Sequence, residues 1–261
     1  MLLTVDVGNS MVNLGVFDEE RLVAKMRVST DARRSADEYG LMLRDLLTLN
    51  GIDRSVITDV CMCSVVPPLT GVFEEASETY FHVKPLTVTA GVRTGLQISY
   101  DNPRDVGADR IVDAVAAIEL YGPPIIIVDF GTATVFDAVS RDGVYLGGAI
   151  SPGINVAAEA LFLSTSQLRR VELVAPGSAI GQNTTEALQA GLVLGYAGLV
   201  TGLVGRFKKE LGEDAKVVAT GGLAGIMAKV TDVFDDINPD LTLIGLRLVY
   251  GKNRPPPRVL D

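Results

Sequence analysis

The stretch LLTVDVGNSMVNLGVFD, residues 2–18, is an apolar run ending near Asp6, a turn through Gly8, Asn9 and Ser10, and a second apolar run. Apolar runs on either side of a short Gly-containing turn predict a β-hairpin. The same grammar returns in PIIIVDFGTATVFDAVS, residues 124–140, with Asp129, Gly131 and Thr132 in the turn. A third strand follows each hairpin: RLVAKMRVS (21–29) after the first and GVYLGGAI (143–150) after the second. A pattern that restarts about half a chain later predicts two similar subdomains, 1–115 and 116–261.

The remaining chain reads as mixed α and β. SADEYGLMLRDLLTLNG (35–51) is amphipathic and ends at Gly51, a helix with its stop signal. VITDVCMCSV (56–65) predicts a strand, and Pro67-Pro68 starts a helix through LTGVFEEASETYF (69–81). ADRIVDAVAAIELYG (108–122) predicts a helix halted by Gly122, Pro123 and Pro124. A helical run around 184–210, the strand AKVVAT (215–220), a Gly-Gly turn and the helix LTLIGLRLVYG (241–251) complete the second half. The Pro255–Pro257 tail reads as irregular.

Composition bounds the chemistry. Apolar residues make up 48% and charged residues 21% of the 261, which excludes a disordered chain. The net charge of −9 opposes binding to a phosphate backbone, so nucleic acid is not expected as a partner. One histidine, His82, and two cysteines, Cys61 and Cys63, exclude multi-histidine and Cys₄ metal sites. Spaced two apart on a strand, the cysteines share a face and read as buried, reduced thiols of a cytoplasmic protein. MLLTVDVGNS has no basic stretch and meets Asp6 early, so it does not read as a signal peptide. ALQAGLVLGYAGLVTGLVG (187–205) has nearly the length of a membrane span, but RFKKE follows directly. Gly191, Gly195, Gly198 and Gly202 fall on one helix face that lets another backbone approach closely, which predicts a long buried helix, with a partner subunit as one candidate neighbour, rather than a membrane segment.

The two acidic turns suggest phosphate chemistry. Gly8 lets a ligand approach the backbone, and Asn9, Ser10 and the loop amides are neutral donors for phosphate oxygens. A carboxylate beside a phosphate needs a cation between them, which makes Asp6 a candidate for Mg²⁺, directly or through water. Asp129 offers a second cation-binding carboxylate, and Thr132 a hydroxyl and an amide. VVATGG (217–222) ends in Gly221 and Gly222, against which a flat adenine could lie. Each turn alone is more commonly just a turn; the pair, each closing an apolar strand, points to a nucleotide gripped from two subdomains.

This pattern resembles the superfamily of acetate and sugar kinases, Hsc70 and actin, whose members bind ATP between two duplicated ribonuclease-H-like subdomains. YDNPRDVGADRIVDAVAA (100–117), DFGTAT (129–134), GGAISPG (147–153), GQNTTEALQAG (181–191) and DLTLIGL (240–246) look like the type III pantothenate kinase family in order and spacing, over Val5 to Tyr250. The resemblance implies ATP-dependent phosphorylation of pantothenate. It implies an ATP loop of Asp6, Val7, Gly8, Asn9, Ser10, Met11, Val12 and Asn13, with Thr132, Gly221 and Gly222 completing the nucleotide site. It implies Asp109 as the base for the substrate hydroxyl, and pantothenate contacts from Tyr100, Gly107, Ala108, Arg110 and Thr184. It further implies K⁺ or NH₄⁺ at Asp129 and a homodimer.

Read alone, Asp109 is an acid in a first helical turn, Arg110 a solvent-facing neighbour, Tyr100 a packing residue and Thr184 a helix N-cap. A planar guanidinium at Arg110 nonetheless suits a carboxylate such as pantothenate's. The chain departs from the family pattern at Thr201-Gly202, in SQLRRVEL (166–173) and at Val135. Two rivals are a sugar kinase, whose repressor-like relatives carry a cysteine-rich zinc motif absent here, and a nucleotide-binding regulator, which the acidic charge and lack of a helix-turn-helix disfavour.

Overall fold

The computed structural model describes residues 1–254, so the proline tail lies outside the described residues. In chain order the elements are strands β1 (Leu2–Val7), β2 (Met11–Asp18) and β3 (Arg21–Ser29), helix α1 (Ala36–Leu49), β4 (Asp59–Ser64), α2 (Pro67–Phe81), β5 (Leu86–Thr87) and β6 (Gln97–Ile98). Then come α3 (Ala108–Tyr121), β7 (Ile125–Phe130), β8 (Ala133–Val139), β9 (Val144–Pro152), α4 (Ile154–Ser164), α5 (Thr184–Gln189), α6 (Gly195–Leu211), β10 (Lys216–Thr220), α7 (Ala224–Met227), β11 (Asp236–Ile237) and α8 (Leu241–Asn253).

The chain forms two units. One comprises Met1–Gly95, Asn102–Ala116 and the chain from Thr242 on; the other comprises Leu96–Asp101 and Ala117–Leu241. The C-terminal helix α8 therefore counts almost wholly with the first unit, which no local signal in LTLIGLRLVYG announces.

The first unit holds a five-stranded mixed sheet in the order β3-β2-β1-β4-β5. β1 pairs antiparallel with β2 and parallel with β4. Its central strand is buried at every position, which a strand covered on both faces requires. Leu3, Val5, Val12, Leu14 and Met62 pack with Tyr39, Leu43 and Leu47 of α1 and with Leu69 and Phe73 of α2. The Tyr39 and Phe73 rings lie 4.5 Å apart. A reciprocal cap fixes where α1 begins: Ser35 Oγ accepts from the Glu38 N–H, and Glu38 Oε2 accepts from the Ser35 N–H over 2.8 Å. Gly245 lets α8 close on α3, because a Cβ there would overlap the Val112 carbonyl.

The second unit holds a six-stranded sheet in the order β11-β10-β7-β8-β9-β6. Its β9-β8-β7-β10-β11 portion repeats the first sheet: two antiparallel neighbours on one side of the leading strand and two parallel ones on the other. Even the irregularity recurs. The register shifts between Val16 and Phe17 in one sheet and between Ala138 and Val139 in the other, opposite equivalent positions of the leading strands. The architecture is α/β, with mixed sheets flanked by helices, as the sequence repeat predicts.

The apolar run of 187–205 is helical but not wholly buried. α5 passes through one π turn, Ala190–Leu194, into α6. Leu192, Val193, Ala197, Val200 and Val204 are buried, whereas among the described residues a Cβ at Gly191, Gly195, Gly198, Gly202 or Gly205 would meet nothing within 4 Å. By length and composition Thr184–Leu211 could cross a membrane, with 33% of its most apolar window buried. Within this chain one face of the expected buried helix packs and the glycine face stays open.

Candidate active site

The first acidic turn is built largely by backbone. Asp6, next to last in β1, has Asn13 of β2 and Cys63 of β4 as its cross-strand neighbours. Gly8 turns the chain, its N–H donating to the Met11 carbonyl over 3.0 Å. Thr30 closes the turn: its Oγ1 donates to the Gly8 carbonyl over 2.7 Å and its N–H to the Ser10 carbonyl over 3.0 Å. Asn9 and Ser10 are exposed at the tip, with Met11 and Asn13 half-buried. Val7 and Val12 are fully buried, so their contribution to a ligand is limited to backbone groups.

Asp6 is only 9% exposed. Asn13 Nδ2 donates to its Oδ2 over 2.9 Å, and the Cys63 thiol donates to its Oδ1 over 3.5 Å. Burial pushes the Asp6 carboxyl up to about 6; the Asn13 and Cys63 hydrogen bonds oppose this, and the neighbouring Asp109 charge adds to it. Burial also drives the Cys63 thiol well above its ordinary value, helped by the charges of Asp6, Asp109 and Asp113. Cys61 is pushed up to about 12 by burial. Both cysteines are free and buried, as expected.

Asp109 stands in the first turn of α3. The Arg110 N–H donates to its Oδ1 over 2.8 Å. A Cβ on Gly107 would lie 2.5 Å from that same oxygen, so glycine supplies the room the carboxylate occupies. Burial raises the Asp109 carboxyl above the usual range, against the lowering effects of the Arg110 N–H and the Arg110 charge. Gly107, Ala108 and Arg110 are half-buried around it.

In the second unit Asp129 is likewise next to last in its strand, between Val135 of β8 and Thr220 of β10. Gly221 follows with φ +87° and lies directly against the Asp129 carboxylate and the Phe130 backbone. Gly222 is exposed, with open space over its Cα. Thr132 is exposed at the turn, and its carbonyl accepts from the Gly153 N–H over 3.0 Å. Tyr100 is 39% exposed and lays its ring against Gly147, where a Cβ would come to 2.9 Å. Thr184 is exposed as the first residue of α5. It is not the N-cap: that role falls to Asn183, whose Oδ1 accepts from the Glu186 N–H over 3.0 Å.

The first unit thus brings Asp6 and Asp109 within electrostatic reach of each other, and the second sets Asp129 against Gly221. The sequence reading misses Cys63 as a partner of Asp6, because β1 and β4 are separated by β2, β3 and α1 and their pairing has no local signal. Asp113, buried one helical turn beyond Asp109, is missed too, although its i, i+4 spacing from Asp109 on one helix was a local signal.

Among the described residues no group of three or more His, Cys, Asp or Glu side chains could hold a metal ion. A divalent cation carried by a nucleotide takes one or two carboxylates and fills its remaining positions with phosphate oxygens and water. A buried carboxylate with a raised pKa, such as Asp6, gains from such a cation.

Comparison with known proteins identifies the family. The sequence pattern of the family described as type III pantothenate kinase matches residues 2–206. A type III pantothenate kinase from Myxococcus xanthus is 53% identical over 97% of this chain and 99% of its own length. One from Roseiflexus sp. is 51% identical over 97% and 100%. Among solved structures, an ethanolamine utilization protein EutJ from Carboxydothermus hydrogenoformans has a TM-score of 0.56 at 13% identity, covering 95% of this chain and 89% of that one. The activator of the 2-hydroxyisocaproyl-CoA dehydratase from Clostridium difficile, solved with bound ADPNP, has a TM-score of 0.53 at 13% identity, covering 97% and 94%. At such identities these structures establish a shared fold and nothing finer.

Proposed function

The chain belongs to the type III pantothenate kinase family and uses ATP to phosphorylate pantothenate to 4′-phosphopantothenate, the first step of coenzyme A biosynthesis; within that reaction we propose a role for each residue of the two acidic turns and of the GADR segment. The observation that carries the reading is identity of about half the residues over 97% of the chain.

In this reading Asp109 accepts the proton of the pantothenate hydroxyl. Its burial supports the role, since a base works best with a pKa near the working pH. Arg110 offers its planar fork to the pantothenate carboxylate, and Gly107, Ala108, Tyr100 and Thr184 complete the contacts to the substrate. The turn from Asp6 to Asn13 receives phosphate oxygens on its amides and on the Asn9 and Ser10 side chains, with Thr132 adding a hydroxyl. Gly221 turns the chain and Gly222, with open space over its Cα, leaves room for the adenosine. Mg²⁺ at Asp6, held directly or through water, supplies charge neutralisation for the transferring phosphoryl group when bound. Asp129 takes K⁺ or NH₄⁺.

We further infer two duplicated ribonuclease-H-like subdomains, in outline 1–115 and 116–261, a cytoplasmic location, and no nucleic-acid or membrane partner. The open glycine face of α6 supports a homodimer. The test is a coupled assay for ADP with and without pantothenate, repeated with K⁺ replaced by Na⁺. Pantothenate-dependent ADP release that falls without K⁺ is the expected result. No pantothenate dependence would leave a nucleotide-binding regulator, and indifference to the cation would remove it from Asp129.

A further inference from the structure

Asp6 is held from both sides by the residues that strand register sets beside it. Asn13 of β2 and Cys63 of β4 are its cross-strand partners, and each takes a different carboxylate oxygen: Asn13 takes Oδ2 at 2.9 Å and Cys63 takes Oδ1 at 3.5 Å. Side chains at matched register project from the same face of a sheet, so this arrangement follows from the pairing itself. Cys63 has no solvent exposure and faces Asp6, Asp109 and Asp113. Its thiol donates to Oδ1 of Asp6. It has no solvent path for thiol chemistry and no cysteine bonded to it. The duplicated sheet carries a side-chain donor at the same place: Thr220 of β10 is the register partner of Asp129.

We propose that Cys63 is a positioning residue for phosphoryl transfer: its thiol fixes Oδ1 of Asp6 while Asn13 fixes Oδ2, so that the carboxylate meets the nucleotide's metal ion in one orientation. This rests on the reading of Asp6 as the residue that holds Mg²⁺. Hydrogen bonds that orient a ligand carboxylate govern metal affinity as well as rate. An apolar side chain of similar size would fill the same volume but leave Oδ1 free to rotate.

The test is Mn²⁺ binding, followed by electron paramagnetic resonance, to the full-length protein saturated with a non-hydrolysable ATP analogue. The variants are Cys63→Ser, Cys63→Ala, Cys63→Val and Asp6→Asn, each checked for Tm. Cys63→Ala and Cys63→Val are expected to weaken Mn²⁺ by about tenfold, the lower end for partners of metal ligands. Cys63→Ser, which keeps a donor, is expected to bind like the parent. If Asp6→Asn weakens Mn²⁺ and Cys63→Ala and Cys63→Val do not, the role of Cys63 is overturned while that of Asp6 stands. If Asp6→Asn leaves Mn²⁺ unchanged, the Asp6 reading itself fails. A packing role alone predicts Cys63→Val nearest the parent and Cys63→Ser and Cys63→Ala lowest in Tm, with no change in Mn²⁺ affinity, and would likewise overturn the proposal.

Discussion

Gly221 lies directly against the Asp129 carboxylate, at a φ of +87° that a side chain would strain. β10 runs parallel to β7 with Thr220 opposite Asp129, so the next residue must turn across the end of β7 where that carboxylate stands. Glycine there satisfies both the backbone angle and the space. Gly221→Ala should therefore destabilise the protein by ~2 kcal/mol or more, through backbone strain and overlap with Phe130. It should also raise the KM for ATP and the concentration of K⁺ needed for half-maximal rate, measured by the coupled assay. Unaltered K⁺ dependence in a folded Gly221→Ala protein would separate Gly221 from the cation site.

Asp109 and Gly107 make a second pair of this kind, in which the glycine provides the space a carboxylate fills. Asp109→Asn keeps the shape and removes the carboxylate proposed as the base. ATP affinity by calorimetry should stay within a factor of about three, while kcat falls at least tenfold, the lower reach of general-base assistance. Because burial raises the Asp109 carboxyl, the acid limb of kcat/KM for pantothenate should lie above the ordinary carboxylate range and vanish in Asp109→Asn. Near-normal turnover in that variant would remove Asp109 as the base.

The hairpins and both acidic turns were legible because alternating apolar strands and Gly-containing turns are local signals. What the sequence did not show is long-range or lacks period. The β1–β4 register that sets Cys63 beside Asp6 spans a connection of 51 residues, from Val7 to Asp59, and its pairing is fixed only by packing. INVAAEALFLS (154–164) forms α4 although it is apolar nearly all round, so no polar face betrays the helical period. The edge strands β5, β6 and β11 have two residues each, too few for any pattern. The departure at SQLRRVEL has a local account: the Arg170 guanidinium pairs with Glu159 at 2.6 Å and 2.9 Å and sits 4.4 Å over the Phe162 ring, tying the segment to α4.

Asp6 couples stability to pH in a definite direction. Its carboxyl shifts from 3.8 to about 6 on folding, so between those values the native state takes up a proton that the unfolded chain does not. The group favours the fold below pH ~4, and that advantage is lost as the pH rises through ~6. Above pH 6 the buried charge costs on the order of 1–3 kcal/mol. Asp6→Asn should therefore be more stable than the parent at pH 7.5 in metal-free, nucleotide-free buffer, and this gain should shrink toward pH 4. Urea midpoints at the two pH values measure it. A difference independent of pH would show that Asp6 is not buried in its charged form.

The glycine face of α6 carries the last prediction. Glycine in an exposed helix interior costs about 1 kcal/mol relative to alanine. Four such residues on one face, with open space over each within this chain, suggest that something outside the chain needs the close approach. If a second copy supplies it, the native protein has the mass of a dimer by light scattering. Gly198→Ala should then weaken the dimer despite the better helix propensity, and Gly198→Arg should yield a folded monomer, since none of the described residues lies within 4 Å of a Cβ at that position. If the protein is monomeric, both substitutions leave its mass unchanged and Gly198→Ala raises Tm. Thr184, at the head of the same helical run, adds a functional readout. A substrate contact made across the dimer would raise the KM for pantothenate in Gly198→Arg, whereas a contact within one chain would leave it unchanged.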